Sequence, residues 1–284
     1  MLDIKFHCSE KGNFPQNQLV RGFVYREYSI EVHNHDFYEI NIILSGTGLH
    51  QIENGSFTVS VGDVFVIPPN VAHSYSNTQH LDVYHILLKK EFVAEEYQQA
   101  SRIKGFLQFM EIEPFIRGNS QSRSFLRLSG NDWNDLKKEL DLIGDDRFGE
   151  AEYALLKKHV VWKIVLWMSH LLSQQMEESG QQNSRYRREI VQALEYIHEH
   201  YAEKITIELL CKEVFLSRST FLRHFQALCH CTPMEYLERY RCRKAEEEMS
   251  SSGLSKTALA HSCGFYDLSH MNRMLKKWNG GDVP

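Results

Sequence analysis

Between residues 19 and 90, apolar and polar side chains alternate with a period of two, and turn residues cut the alternation into short runs. It is clearest over His33, His35, Phe37, Glu39, Asn41 and Ile43, where the odd positions share one face of an extended chain. Ser45-Gly46, Asn54-Gly55, Val61-Gly62-Asp63 and Pro68-Pro69-Asn70 mark turns, and Asn54-Gly55 suits a tight hairpin between 49–52 and 57–59. Many short strands with close turns predict a sandwich or a barrel. Beyond residue 91 the period becomes helical. Phe92–Phe109 is a mixed helical stretch, Asn131–Ile143 is amphipathic, and in Glu150–Leu172 the residues Leu155, Val161, Trp162, Val165, Leu166, Met168 and Leu172 recur at helical spacing. The polar run 173–184 predicts a helix end and a linker. From 186 the chain is helical with two sharp turns, and the hairpins near 206–228 and 255–278 resemble each other.

With 42% apolar and 24% charged residues, the 284-residue chain has the balance of a soluble globular protein with more than one core. Val160–Met168, the best apolar run, is short and carries Lys163, so no membrane partner is expected. The N-terminus lacks the apolar stretch of a secretory signal, which predicts a cytoplasmic location. The net charge of −5 is uneven: 15 Lys and Arg face 13 Asp and Glu over 184–284, against 17 and 24 before it. A nucleic-acid contact needs a local basic face rather than a basic total. None of the six cysteines forms a C-x-x-C pair, and Cys229-His230-Cys231 is too tight for a zinc site, so reduced thiols are expected.

Candidate chemistry in the first part is His33-x-His35-x(3)-Glu39-x(6)-Gly46, followed by Gly62-x(5)-Pro68-x(4)-His73. If residues 33, 35 and 39 lie on one strand they point to one side, and a histidine from a later strand completes three imidazoles and a carboxylate, a set that suits a divalent transition metal. The alternative is a polar ligand pocket lined by His33, His35, Glu39, His73 and Tyr75 with no ion. The spacing resembles both motifs of the cupin barrels, with Glu27 in place of the glycine that opens the first and Asn70 in place of the one after the prolines. That resemblance implies a barrel, and leaves open a metal-dependent cupin enzyme, a metal sensor or a sugar-binding sensor.

In the last hundred residues, Thr206 can cap a helix running to Val214, with Leu209 where a capping box would place Glu. Ser217 caps a second helix, Arg218–Leu228, with Phe221, Phe225 and Leu228 inward and Arg218, Ser219, Leu222, Arg223 and Gln226 free to meet DNA. The layout recurs: a helix from Ser255 to Ser262, a turn at Cys263-Gly264-Phe265, and a helix capped by Asp267 with Met271 and Leu275 inward. Its outward residues are Leu268, Ser269, Asn272 and Arg273, with Lys276 and Lys277 placed for phosphate. Pro233–Met249 forms the connecting helix.

The stretches Leu216–Phe225, Thr232–Leu237 with Arg241 and Lys244-Ala245, and Cys263–Arg273 resemble the AraC/XylS family of regulators in order. Phe215 stands where many members have a small or polar residue. The family usually continues with Thr-Pro and a closing helix, where this sequence ends at Gly280–Pro284. The resemblance implies an α+β multidomain protein: a cupin-type β-barrel effector sensor over 1–90, a helical dimerisation and linker segment over 91–180, and an all-α double helix-turn-helix domain over 181–284. It implies a homodimeric, non-enzymatic regulator whose partners are promoter DNA, RNA polymerase and a small-molecule effector, a carbohydrate. The effector then shifts the population of the DNA-bound state.

Overall fold

The structure, a computed structural model, describes residues 2–14, 18–52, 55–119, 126–143, 150–178, 182–249 and 253–279. Two compact units divide the chain, Met1–Ser179 and Gly180–Pro284, and the helical segment expected over 91–180 lies within the first. No helix among the described residues is long and apolar enough to cross a membrane.

The first unit runs β1 (Phe6–Cys8), α1 (Glu10–Asn13), β2 (Val20–Tyr25), β3 (Ile30–His35), β4 (Tyr38–Ile52), β5 (Gly55–Ser60), β6 (Asp63–Ile67) and β7 (His73–Leu88). Helix α2 (Lys90–Ala100), a π-helical turn (Gln108–Ile112), α3 (Glu113–Asn119), β8 (Leu126–Arg127), α4 (Gly130–Ile143) and α5 (Glu150–Glu178) follow. The two long strands β4 and β7 pair antiparallel from Tyr38↔Leu88 to Ile52↔His73, and the register shifts three times between Ile43 and Leu49. Gly46 sits in that irregular stretch with φ +71. The ladder thereby splits into two halves. One half joins β2 and β6 to the first part of β4 and the last part of β7, and the other joins β3 and β5 to the remaining parts. Ile43, Ile52, Phe57, Val59, Phe65, Ile67, Tyr75, Leu81 and Val83, drawn from both halves, form one buried cluster.

The sheet differs from the expected barrel in being open. Its hydrogen-bonded order is β1-β3-β7-β4-β6-β8, with β2 on β7 and β5 on β4, and no pairing joins the ends among the described residues. Fully buried Arg117 of α3 donates to the Val66 carbonyl and lies 4.6 Å from the centroid of the Phe65 ring. Its Nε also pairs with Glu113 at 3.1 Å. On the opposite face of the same strands, Ile40, Ile42, Val64, Val66 and Ile86 are also fully buried, so the β6 side of the sheet is covered twice. Trp162 of α5 stacks on Phe92 and Phe106 within this unit, at 5.2 and 6.2 Å between ring centroids.

Residues 33–43 are not one strand. The chain bends at Asp36-Phe37, so His33 and His35 close β3 while Glu39, Asn41 and Ile43 belong to β4. Glu27 and Asn70, which replace the motif glycines, hold φ of 50 and 64, so the left-handed turns are kept without glycine. Asn54, at the corner of the expected hairpin, lies outside the described residues, but β4 and β5 pair on either side of it from Ile52↔Gly55 onward.

The second unit is helical: α6 (Gln182–His200), α7 (Ile207–Glu213), α8 (Arg218–Cys229), α9 (Pro233–Met249), α10 (Lys256–Ser262) and α11 (Leu268–Asn279). The expected caps at Thr206, Ser217 and Asp267 form: Thr206 and Ser217 accept from the Leu209 and Thr220 backbone N–H groups, and Asp267 accepts from that of His270 at 2.7 Å. Ser255, expected as the first residue of its helix, is instead its cap and accepts from the Ala258 N–H. Cys229, rather than the expected Leu228, is the third buried residue of α8 after Phe221 and Phe225, at i, i+4 and i+8. A full capping box opens α9: Glu235 accepts from the Thr232 N–H at 2.8 Å, and Thr232 Oγ1 accepts from the Glu235 N–H at 3.2 Å. The last hairpin buries Leu259, Ala260, Cys263, Phe265, Met271 and Leu275 against Cys242 and Ala245 of α9.

A Cβ at Gly46 would meet the His80 carbonyl oxygen at 2.2 Å, besides the strain of its positive φ. Gly46→Ala is therefore expected to destabilise the first unit by about 2–3 kcal/mol, measured by urea unfolding. A loss below half of that would mean the bend does not depend on glycine.

Candidate functional site

Bending the β4–β7 ladder sets polar side chains of its two halves face to face. Glu39 and His85 come from the half that holds β2 and β6; His35 and His73 come from the half that holds β3 and β5. All four are buried. His85 Nδ1 donates to Glu39 Oε1 at 2.6 Å. The other carboxylate oxygen, Oε2, lies 3.1 Å from His35 Nε2 and 4.0 Å from His73 Nε2.

Backbone carbonyls fix how His35 and His73 of this set point, and His33 beside them. His33, His35 and His73 each place Nδ1 on a nearby carbonyl, of Glu31, Phe37 and Val71, at 3.0, 2.7 and 3.0 Å. A carbonyl only accepts, so each Nδ1 carries a proton and each neutral ring keeps its lone pair on Nε2. Burial holds His73 well below the ordinary histidine range, which favours that neutral ring. Burial alone would raise the Glu39 carboxyl, but the charges and hydrogen bonds of His85 and His35 outweigh it and hold it well below the usual carboxylate range. With the His35 ring neutral as well as that of His73, two lone-pair nitrogens and a carboxylate oxygen face one another. Such an arrangement is stable only with a second proton on an imidazole or with a cation among them.

One donor atom from each of His35, Glu39 and His73 lies within 4.8 Å of the others. Ligand atoms around a tetrahedral divalent metal are about 3.4 Å apart, and metal ligands of the histidine type commonly donate the distal N–H to a backbone carbonyl, so the donor set fits. His33, expected as a fourth ligand, is not in this set; its ring lies 4.2 Å from that of His73 and stacks on Phe6 at 5.0 Å. His85 was not foreseen. It shares an inward face with Leu81 and Val83 along β7, a period-two signal present in the sequence but without a motif to flag it.

Further along the interior, Tyr75 is buried as a pocket residue should be, 4.7 Å from the ring of His50 and 5.2 Å from that of Tyr28. The Tyr75 hydroxyl, both ring nitrogens of His50 and both amide atoms of Asn41 are buried without a hydrogen-bond partner among the described residues. Groups of this kind are the ones a polar ligand or ordered water satisfies. Burial first, then the charges of Arg117 and His73, hold His50 well below the ordinary histidine range.

In the second unit Arg218, Ser219, Arg223 and Gln226 are exposed along α8, with Leu222 half-buried. Ser269, Asn272, Arg273, Lys276 and Lys277 are exposed along α11, with Leu268 half-buried. Arg223 and Arg273 hold the same position in their helices, six residues after the N-caps Ser217 and Asp267. Two of the cations already have partners: Arg218 pairs with Glu208, and Lys277 with Glu238 at 3.0 Å. Phe215 stands at the turn of the first helix-turn-helix where the second has Gly264; both hold positive φ, and Phe215 is 90% exposed. Cys229 and Cys231 are buried, and burial raises both thiols, Cys231 to about 11.

Comparison with known proteins agrees with this division. Residues 21–141 match the profile of an AraC-like ligand binding domain, and residues 210–281 match a helix-turn-helix domain. The HTH-type transcriptional activator RhaS of Citrobacter koseri is 25% identical over 258 residues, covering 88% of this chain and 86% of that protein. The activator of the same name from Escherichia fergusonii is 26% identical over 248 residues, covering 86% and 83%. The crystal structure of ToxT from Vibrio cholerae aligns over 91% of this chain and 93% of its own at 12% identity and a TM-score of 0.37, too loose to bear on function.

His50 and His73 stay neutral in the fold at a pH where an unfolded chain, with an ordinary value of 6.5, takes up protons. Stability is therefore fully present above pH 6.5 and declines as pH falls below it, by at most about 1.4 kcal/mol per pH unit for each ring. His50→Phe, which keeps a ring beside Phe65 and Tyr75, should make that slope shallower in urea unfolding between pH 7.5 and 5.5. An unchanged slope would show that His50 does not titrate on unfolding.

Proposed function

Because this chain belongs to the AraC family of transcription regulators, we propose that it is an activator that reads promoter DNA with α8 and α11 and answers to a sugar or oligosaccharide held in the N-terminal sheet. The observation that carries the DNA reading is the duplicated unit: two capped helices, each presenting an exposed arginine six residues after its cap. Helices of this layout enter successive turns of the major groove, where arginine meets guanine edges. The sugar reading rests on the buried, unpartnered groups of Asn41, His50, Tyr75 and His85, whose donors and acceptors match hydroxyls, and on the resemblance to sugar-responsive members of the family. Recruitment of RNA polymerase and pairing of two copies through the helices of 130–178 complete the proposal.

Sites selected by this chain from random DNA provide the test. Arg223→Ala and Arg273→Ala should each relax preference at a different base position, the two about one helical turn apart, with a loss of about 1–3 kcal/mol in discrimination. Lys276→Ala should instead weaken all sequences alike and reduce the salt slope by about 1. If both arginine variants keep the parent preference in anisotropy titrations, α8 and α11 are not the reading helices.

The His35–Glu39–His73 set favours a second reading, in which the effector is a divalent transition metal ion. Equilibrium dialysis against zinc and manganese should then give one bound ion per chain. His35→Gln, Glu39→Gln and His73→Gln should each abolish it, and His33→Gln should retain it. Retention of the ion by the Glu39 variant would remove this reading and leave the sugar.

A further inference from the structure

Helix α6 is the first element after the division between the two units. Its buried residues Ile190, Val191, Leu194 and Ile197 fix it in the core of the second unit. One turn before Ile190 lies Tyr186, and its ring stacks on that of His224 with centroids 3.9 Å apart and planes inclined by 10°. His224 belongs to α8 and follows Arg223 directly. Its Nε2 lies 3.4 Å from Arg223 Nη2. Neither the Tyr186 stack nor the Arg223 contact belongs to the helix-turn-helix core formed by Phe221 and Phe225.

We propose that Tyr186 is a positioning residue for Arg223, acting through His224. This rests on the reading of Arg223 as a base-contacting residue. An exposed arginine has several rotatable bonds, and binding must freeze them. A neighbour that accepts from its guanidinium limits the conformers beforehand, and a ring stacked face-on holds that neighbour in place. The imidazole accepts at Nε2 in the plane of its ring, and the Tyr186 ring stacked on its face holds that plane. Among the described residues no comparable stack is present at Arg273, whose neighbours on α11 are Asn272 and Met274. The first turn of α6 therefore bears on one of the two reading helices and not on the other. It is also the turn of the second unit that stands nearest in sequence to the first unit.

The experiment uses the whole chain and the DNA site it selects. Base discrimination is measured by anisotropy at the position that Arg223→Ala relaxes and at the position that Arg273→Ala relaxes. Tyr186→Ala should reduce discrimination at the first position about threefold to tenfold and leave the second within about twofold. Tyr186→Phe, which keeps the stacked ring, should behave as the parent. In an Arg223→Ala background, Tyr186→Ala should add nothing at the first position, because the group it positions is gone. His224→Ala should repeat the pattern of Tyr186→Ala, and it serves in its place if thermal melting shows that Tyr186→Ala unfolds. Equal losses at both positions, losses that multiply in the double variant, or a Tyr186→Phe variant as poor as Tyr186→Ala would each overturn the proposal. If Arg223→Ala changes preference at no position, the reading of Arg223 fails first and the proposal falls with it, an outcome distinct from multiplied losses.

Discussion

The first unit depends on one constraint, the bend in the β4–β7 ladder around Gly46. Two strands of 15 and 16 residues would otherwise form a long flat ribbon with one exposed apolar face. The register shifts between Ile43 and Leu49 break that ribbon and lay its halves together. The core and the polar cluster are both consequences. Ile43, Ile52, Phe65 and Val83 meet across the fold, and so do Glu39 and His35. The β5–β6 turn is held by a second device. Buried Asp63 accepts from the Ser60 N–H at 2.8 Å and from both Nε and Nη2 of Arg127 at 2.5 and 2.9 Å. A bidentate pair of this kind ties β8, the last strand of the open sheet, to the strand before it.

The second unit has a different logic, in which local signals do most of the work. Each helix from α7 to α11 starts at its own side-chain acceptor, and each cap defines where the following helix faces solvent. This explains how a connecting helix as polar as α9 can be placed: its capping box fixes its start, and the buried positions Tyr236, Leu237, Tyr240, Cys242 and Ala245 fix its face. Arg241 adds a long-range tie, donating to the carbonyls of Tyr201 and Glu203 at 2.7 Å each.

That difference governs what was legible in the sequence. Caps act over three residues, so Thr206, Ser217 and Asp267 could be read directly, and so could the exposed positions that follow them. The Thr232–Glu235 box is equally local, and it marks the same helix start as Pro233. In the sheet the relevant distances are tertiary. The alternation from His33 to Ile43 was real, but a period-two pattern does not reveal that the chain bends at Asp36-Phe37. The histidines and Glu39 converge all the same, because β3 and β4 both flank β7, a fact of topology that no spacing encodes. His85 was hidden for the same reason, since it reaches Glu39 only through the pairing of Asn41 with His85. The barrel was expected from closely spaced turns, but closure depends on whether the outermost strands meet. Here Arg117 stands beside an edge that spacing alone would have left to hydrogen bonds.

The chemistry of the cluster explains why a fold would keep it at all. A buried carboxylate and several imidazoles give less stability than apolar residues of the same volume would, because desolvation offsets most of their attraction. Their contribution is instead a strong dependence on what lies among them. Nε2 of His35 and of His73 both point at Glu39 Oε2, and their orientation is set by backbone carbonyls rather than by one another. The rings therefore cannot turn away from Glu39 without losing the hydrogen bonds at Nδ1. An occupant that supplies positive charge or hydrogen-bond donors at that point binds the folded sheet and not the unfolded chain, and so raises its stability with concentration. Because Glu39 and His35 belong to opposite halves of the bent ladder, the same occupant also fixes the halves relative to each other. In the proposed sensor, a site built across the bend would couple its occupant to the bend, which a site within one flat sheet would not do.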